Sequence, residues 1–303
     1  MNQAAYAAVD WGTSSFRLWL VDRESRVLAE RRSDEGMMTA AKSGFAAVLQ
    51  THLAAVEAAP DLPVIICGMA GARQGWIEAG YVDTPASLAA ILAGAVIVPG
   101  QSRDIRILPG IAQRDADAPD VMRGEETQLL GALGNDTTSE ALICMPGTHS
   151  KWAEVKGGTV VRFATFMTGE LFSVISRETI LSHAVASAEA AEDRAAFQEA
   201  IIAAFKTPAL AANLLFRVRS RQLLFGGTPA AARETISGTL IGLELAAGLA
   251  KGPRGSVTLV ASGRLASLYR LAFDTLSVAV QSIDADDAVL AGLSRAAAAI
   301  WKR

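Results

Sequence analysis

Cysteine is scarce in this chain, two in 303 residues, and so is histidine, three. Two thiols cannot staple a fold of this length; Cys67 and Cys144 each lie near the end of an apolar run, 64–67 and 142–144, and read as small hydrophobic core residues. His52, His149 and His183 are scattered, and no Cys/His spacing resembles a zinc site, so a bound metal is expected to take oxygen ligands. Charge of one sign is also missing. Lys and Arg total 28 against 31 Asp and Glu, a net charge of -3, which lacks the basic excess of a nucleic-acid footprint. Mean hydropathy is +0.29. Even so, the longest apolar stretches, 89–99 and 240–250, are too short to span a bilayer or are broken by Glu244, and no membrane partner is expected. The first ten residues have neither a charged leader nor a long apolar segment, so the expected compartment is the cytoplasm.

What is present is core-forming material. Hydrophobic residues make up 51% of the chain, and its length corresponds to about two domains of the usual ~150 residues. Strands are expected at 4–10, 15–22 and 27–32, a β-meander with a polar turn at 23–26. A helix follows over 45–58, ended by Pro60 and Pro63, then a buried strand at 64–67. Strands at 96–98 and 105–108 and a helix over 125–133 lead to a linker at 135–139. The pattern then restarts: a strand at 141–145, a hairpin of 151–155 and 159–166, helices to residue 251, a strand at 257–261, a helix over 265–273, a strand at 277–282 and a last helix over 286–301. The class is α/β with mixed sheets. The expected domains are 1–138, joined by a returning helix at 285–303, and 139–284.

An internal echo is the most informative feature. Asp10-Trp11-Gly12-Thr13-Ser14-Ser15 follows one strand and Met145-Pro146-Gly147-Thr148-His149-Ser150 another, each in the turn between the first two strands of its half. A glycine turn followed by hydroxyl residues leaves backbone N–H groups free to bind phosphate oxygens. Two such turns suit one polyphosphate. Asp10 at the end of a buried strand is costly if unpaired, and a hydrated Mg²⁺ would satisfy it.

Residues 10–17 resemble the first phosphate motif of the sugar kinase, heat-shock chaperone and actin superfamily. Residues 145–151 resemble its second phosphate motif, and Val260-Ala261-Ser262-Gly263-Arg264 its adenosine motif. More closely, residues 68–76 (GMAGARQGW), 122–128 (MRGEETQ), 146–152 (PGTHSKW) and 167–172 (MTGELF) are similar to 2-dehydro-3-deoxygalactonokinases. That resemblance implies two related ribonuclease H-like domains of the actin-like ATPase fold with a nucleotide cleft between them. The implied reaction is transfer of the ATP γ-phosphate to the 6-hydroxyl of 2-dehydro-3-deoxy-D-galactonate. Gly12, Thr13, Ser14, Gly147, Thr148, His149, Ser150, Ser262 and Gly263 would bind the nucleotide, and Asp10 the Mg²⁺.

A phosphoryl transfer to an alcohol needs a carboxylate to accept the hydroxyl proton and orient the oxygen. Glu125, after Gly124, is the nearest match to the base of related sugar kinases, with Glu126 as the neighbouring choice; two acids at a helix start also simply complement its dipole. Glu170 is expected to support a helix capped by Thr168. A sugar acid further requires a cation with forked donors. Arg17, Arg73 and Arg123 lie close to expected strand ends or turns; Arg73, in a small-residue loop with Gln74 and Trp76, is the expected carboxylate clamp with Arg123 the next choice, and Arg17 is expected to serve phosphates or a domain interface. Two other readings remain: an exopolyphosphatase-like hydrolase, which Gly124-Glu125-Glu126 also resembles, and a non-catalytic nucleotide-gated binding protein. The oligomeric state is open, a homodimer being one arrangement.

Overall fold

The computed structural model describes residues 3–134, 140–186, 193–250 and 256–301. The linker expected at 135–139 and the end of the helical run at 251 lie outside them. The chain divides into two compact units. One comprises Met1–Glu140, Glu154–Phe163 and Ile283–Arg303, the other Ala141–Ala153 and Ala164–Ser282.

The first unit opens with the meander β1 (Ala4–Trp11), β2 (Phe16–Asp22) and β3 (Val27–Ser33). The turn between β2 and β3 closes because the Asp22 carboxylate accepts the backbone N–H groups of Glu24 and Arg26, both at 2.9 Å. Helices α1 (Met37–Ser43) and α2 (Phe45–Ala55) follow. The second stops at Ala55 rather than 58: Glu57 turns to positive φ and the Ala58 N–H folds back onto the Leu53 carbonyl, at 3.0 Å. Next come β4 (Val64–Gly68), β5 (Tyr81–Asp83), β6 (Ala86–Ser87), α3 (Leu88–Ala93), β7 (Val96–Ile97), β8 (Ile105–Ile107), β9 (Gly110–Gln113), β10 (Asp120–Met122) and α4 (Glu125–Ala132). A six-stranded sheet runs β3-β2-β1-β4-β8-β7, and a small sheet β10-β9-β5 stands apart from it. β4 is parallel to both β1 and β8. Val9, Trp11 and Ile66 face α2, whereas Ala8, Trp19 and Ile65 face the terminal helix, which explains why these strands are apolar on both faces.

The second unit is built on β11 (Glu140–Met145), β12 (Ser150–Lys156) and β13 (Thr159–Phe166), followed by α5 (Thr168–Glu178), α6 (Ser182–Val185), α7 (Arg194–Lys206), α8 (Ala211–Phe225) and α9 (Pro229–Gly248). β14 (Val257–Val260), α10 (Gly263–Thr275) and β15 (Val280–Ile283) complete it. β15 starts later than expected because Ser277, at positive φ, prolongs the turn after α10. The sheet order is β15-β14-β11-β12-β13-β6, and β14 is parallel to β11. The β12–β13 tip groups with the first unit, where Val160 pairs with Ala86. The order β13-β12-β11-β14-β15 repeats β3-β2-β1-β4-β8, so the echo of the two glycine turns is an echo of whole sheets.

α11 (Ala285–Trp301) returns to the first unit. Two glycines let it lie directly on α4: a Cβ on Gly131 would overlap the Ala288 carbonyl, and one on Gly292 the Thr127 carbonyl. This close crossing sets the position of the first turn of α4. Cys67 and Cys144 are free and buried. Among the described residues no single helix is long and apolar enough to cross a membrane.

Candidate active site

The turn joining β1 and β2 is closed by the Gly12 N–H donating to the Ser15 carbonyl at 2.9 Å, leaving Thr13 and Ser14 exposed. It is held from behind by the start of α1, where Met37 N–H donates to Gly12 O at 2.9 Å and Met38 N–H to Thr13 O at 3.1 Å. The loop is therefore fixed in place before any ligand arrives.

Asp10 stands at the carboxyl end of β1, in register with Arg17 on β2 and Cys67 on β4. The Cys67 thiol donates to Asp10 Oδ1 at 3.7 Å, so this cysteine is a neighbour of the carboxylate as well as a core residue. Burial pushes the Asp10 pKa up. Arg17 and the thiol oppose that, while the charges of Asp286 and Glu125 reinforce it. Arg17 is itself ion-paired to Asp286, which also accepts from Arg32 at 2.9 Å.

The first turn of α4 reaches the same place. Gly124 lies over Gly68 at the end of β4: a Cβ built on it would be 3.6 Å from the Gly68 Cα. Glu125 Oε2 accepts the Arg123 backbone N–H at 3.1 Å and is partly accessible. Glu126 is fully buried, and its carboxyl accepts from Gly124 N–H at 2.6 Å and from the Thr127 hydroxyl at 3.0 Å. Burial, then the neighbouring Glu125 charge, raises its pKa to about 8. Asp10, Glu125 and Glu126 thus converge at one strand end, with the glutamates differing sharply in environment. The convergence of acidic oxygens whose nearest cation is already engaged by Asp286 fits a hydrated Mg²⁺ shared with phosphate, the pattern of one or two carboxylates that this ion favours. Among the described residues no cluster of three or more His, Cys, Asp or Glu forms a metal cage.

Residues 69–71 form a short 3₁₀ turn after β4, and Arg73 and Gln74 beyond it are exposed. Trp76 is half-buried, stacked on Phe45 and edge-on to Trp11. Arg123 presents a different picture. Its guanidinium lies 4.5 Å over the Tyr81 ring and donates through Nη2 to the Gly80 carbonyl at 2.7 Å, while Nε and Nη1 are buried without a hydrogen-bond partner.

In the second unit the Gly147–Ser150 turn is backed by α5. A Cβ on Gly169 would come within 2.5 Å of the Gly147 carbonyl, and the Glu170 N–H donates to Thr148 O at 3.0 Å. Thr168 is the first helical residue and not the cap; its hydroxyl donates to Glu244. His149 is exposed and pairs with Glu170 at 2.5 Å. A cavity of about 300 Å³ opens beside this turn, lined by Gly147, Gly169, Arg233, Ser237, Arg264 and Tyr269. A second one, of about 430 Å³, shares Glu234 and Arg264 with it. The Glu234–Arg264 ion pair, at 2.9 Å, lines both. Gly263, at φ +58° with open space where a Cβ would be, starts α10 at this edge.

The sequence matches the family described as 2-keto-3-deoxy-galactonokinase over residues 10–296. The chain belongs to that family. It is 60% identical over 298 residues to a Rhizobium meliloti (strain 1021) protein named as a probable 2-dehydro-3-deoxygalactonokinase, covering 98% of this chain and 97% of that one. It is 33% identical to the 2-dehydro-3-deoxygalactonokinase of Escherichia coli K12, covering 98% and 99%. A crystal structure of a Sinorhizobium meliloti protein bearing the same kinase name superposes with a TM-score of 0.96 at 59% identity, over 98% of this chain and all of that one. At 11% identity the activator of the 2-hydroxyisocaproyl-CoA dehydratase from Clostridium difficile, solved with bound ADPNP, still gives a TM-score of 0.50 over 98% of this chain and 96% of that one, a likeness of fold. The fold is a mixed-sheet α/β fold, shared with that protein.

Within this kinase family member, sequence reasoning missed Asp286, Glu244 and Tyr269. Each reaches its partners from a helix remote in sequence, and no local motif surrounds it. Arg123 lay inside a quoted motif, but its two unpaired donors are visible only once Gly80 and Tyr81 are seen against it.

Proposed function

We propose that this chain transfers the γ-phosphoryl group of ATP to the 6-hydroxyl of 2-dehydro-3-deoxy-D-galactonate, giving the 6-phosphate and ADP. The observation that carries the reading is the convergence of Asp10 and Glu125 at the ends of β1 and β4, beside a fixed Gly-Thr-Ser turn, in a member of this kinase family. In this reading the first unit takes the sugar acid and the second the nucleotide, with Gly147–Ser150 on the phosphates and Ser262 and Gly263 at the adenosine.

Glu125 is the base. Its partly accessible carboxylate takes the proton from the 6-hydroxyl as that oxygen bonds to the γ-phosphorus and the bond to the ADP oxygen breaks. Glu126, fully buried and raised to about 8, holds its own proton at neutral pH and serves to set the first turn of α4. Asp10 would hold Mg²⁺ through its waters, and the ion would supply charge neutralisation on the phosphates. Arg17, engaged by Asp286 and paired in register with Asp10, stiffens the strand end. Use of ATP as the phosphoryl donor supports a cytoplasmic setting for the reaction.

For the carboxylate of the sugar acid, Arg73 remains a candidate with Gln74 and Trp76 beside it. A second candidate is Arg123, whose buried Nε and Nη1 have no hydrogen-bond partner, so that either could donate singly to a carboxylate. The testing experiment is a coupled ADP-release screen over 3-deoxy-2-keto sugar acids, neutral sugars and water alone. ADP release that requires a 3-deoxy-2-keto acid supports the reading; phosphate release with water alone refutes it.

A further inference from the structure

Beneath the second phosphate turn lies a buried polar cluster that the phosphate motifs do not include. Glu244, on α9, is 1% exposed. Its Oε1 accepts the Trp152 indole N–H at 2.8 Å, and its Oε2 accepts the Tyr269 hydroxyl at 2.7 Å and the Thr168 hydroxyl. The Tyr269 oxygen is 3.2 Å from Ser150 Oγ, which in turn accepts the Gly147 N–H at 3.4 Å. Ser150 closes the turn on one side. Thr168 begins α5, whose Gly169 and Glu170 press on Gly147 and Thr148 from the other. One carboxylate therefore ties together both walls of the turn and the helix that follows Gly263.

A carboxylate in an apolar interior is expensive, and an aliphatic side chain would fill the same space without that cost. What an aliphatic side chain could not do is orient three donors from β12, α5 and α10 at once. We propose that Glu244 is a positioning residue for nucleotide binding, holding the Gly147–Ser150 turn through Tyr269, Ser150 and Thr168 in the shape that accepts the phosphates. This rests on the reading that the turn receives ATP. Burial raises the Glu244 pKa, and its hydrogen-bond donors oppose that shift.

The test compares Glu244→Gln with the parent protein by calorimetric ADP binding, by KM for each substrate, and by thermal melting. Gln retains the shape but turns one acceptor into a donor facing hydroxyls and the indole. ADP affinity and ATP KM are expected to worsen about 10-fold or more, with the sugar-acid KM within about twofold, the split expected when one substrate's site alone is disturbed. Glu244→Asp, which keeps the charge, should recover part of the loss. A lower melting temperature with unchanged ADP affinity and ATP KM would overturn the proposal and leave Glu244 a packing residue. If Glu244→Gln does not fold, Tyr269→Phe removes the hydroxyl that bridges Glu244 and Ser150 while leaving the Trp152 and Thr168 bonds to Glu244; weakened ADP binding supports the proposal and unchanged binding overturns it. Thr148→Ala separates the two levels. Weakened ADP binding there but not in the Glu244 variants refutes positioning alone, whereas no change there overturns the phosphate reading of the turn and the proposal with it.

Discussion

Replacing Glu126 with Gln should flatten the pH dependence of stability. The fully buried carboxyl has its pKa raised from 4.5 to about 8, by burial first and by the Glu125 charge second. The folded state therefore keeps a proton that the unfolded chain releases above about 4.5, so the stabilisation this proton confers is complete below that value and lost as pH rises to about 8. Each pH unit within that window is worth ~1.4 kcal/mol, and the interval from pH 5 to 8 roughly 3 kcal/mol. Gln cannot titrate but keeps an acceptor for the Gly124 N–H. Urea melts of both proteins between pH 5 and 9 should show the variant gaining on the parent by about that amount, the gain levelling off above the raised value. In Glu125→Gln the second cause of the shift is gone, and the parent's decline should end at lower pH. Parallel stability profiles for the parent and Glu126→Gln would refute the assignment of a protonated acid beneath α4.

Three further outcomes are expected. Asp10→Asn should keep the fold and lose magnesium-dependent turnover, because an amide supplies no charge to the ion or its waters; an unchanged rate and an unchanged magnesium titration would remove Asp10 from the site. Glu125→Gln should lower kcat about 10²–10⁴-fold with ATP affinity nearly kept, the range for a lost general base, and the same loss in Glu126→Gln instead would shift the base by one residue. Arg73→Ala and Arg123→Ala should differ: the clamp is the one whose loss raises the sugar-acid KM ~10-fold or more with the ATP KM unmoved. Steady-state kinetics on both variants decide it, and equal effects on the two substrates in each would exclude both.

The elements that carry the site were legible because their signals are local. β1, β4 and the second half of β11 are largely buried and read as short apolar runs, and glycine-hydroxyl turns follow β1 and β11. Strands β5, β6, β9 and β10, two to four residues long, were not, being too short to show a period and lacking the aliphatic runs at 96–98 and 105–108 that marked β7 and β8; α1, seven residues long with no side-chain cap, had no boundary signal either. Thr168 was misread because a Thr before an acidic turn looks like a cap, and only Glu244, 76 residues away, shows where its hydroxyl goes. The difference between Glu125 and Glu126 is equally invisible in sequence. Adjacent glutamates at a helix start are chemically alike until α11 crosses α4 at Gly131 and Gly292 and the helix is pressed onto β4.

The central claim is the transfer itself, and phosphorus NMR of the purified protein with ATP, Mg²⁺ and 2-dehydro-3-deoxy-D-galactonate reads it directly. The account predicts one new phosphate-ester signal, split by the protons of a terminal CH₂ and growing in step with ADP. Inorganic phosphate without an ester, or an ester on a different carbon, would contradict it.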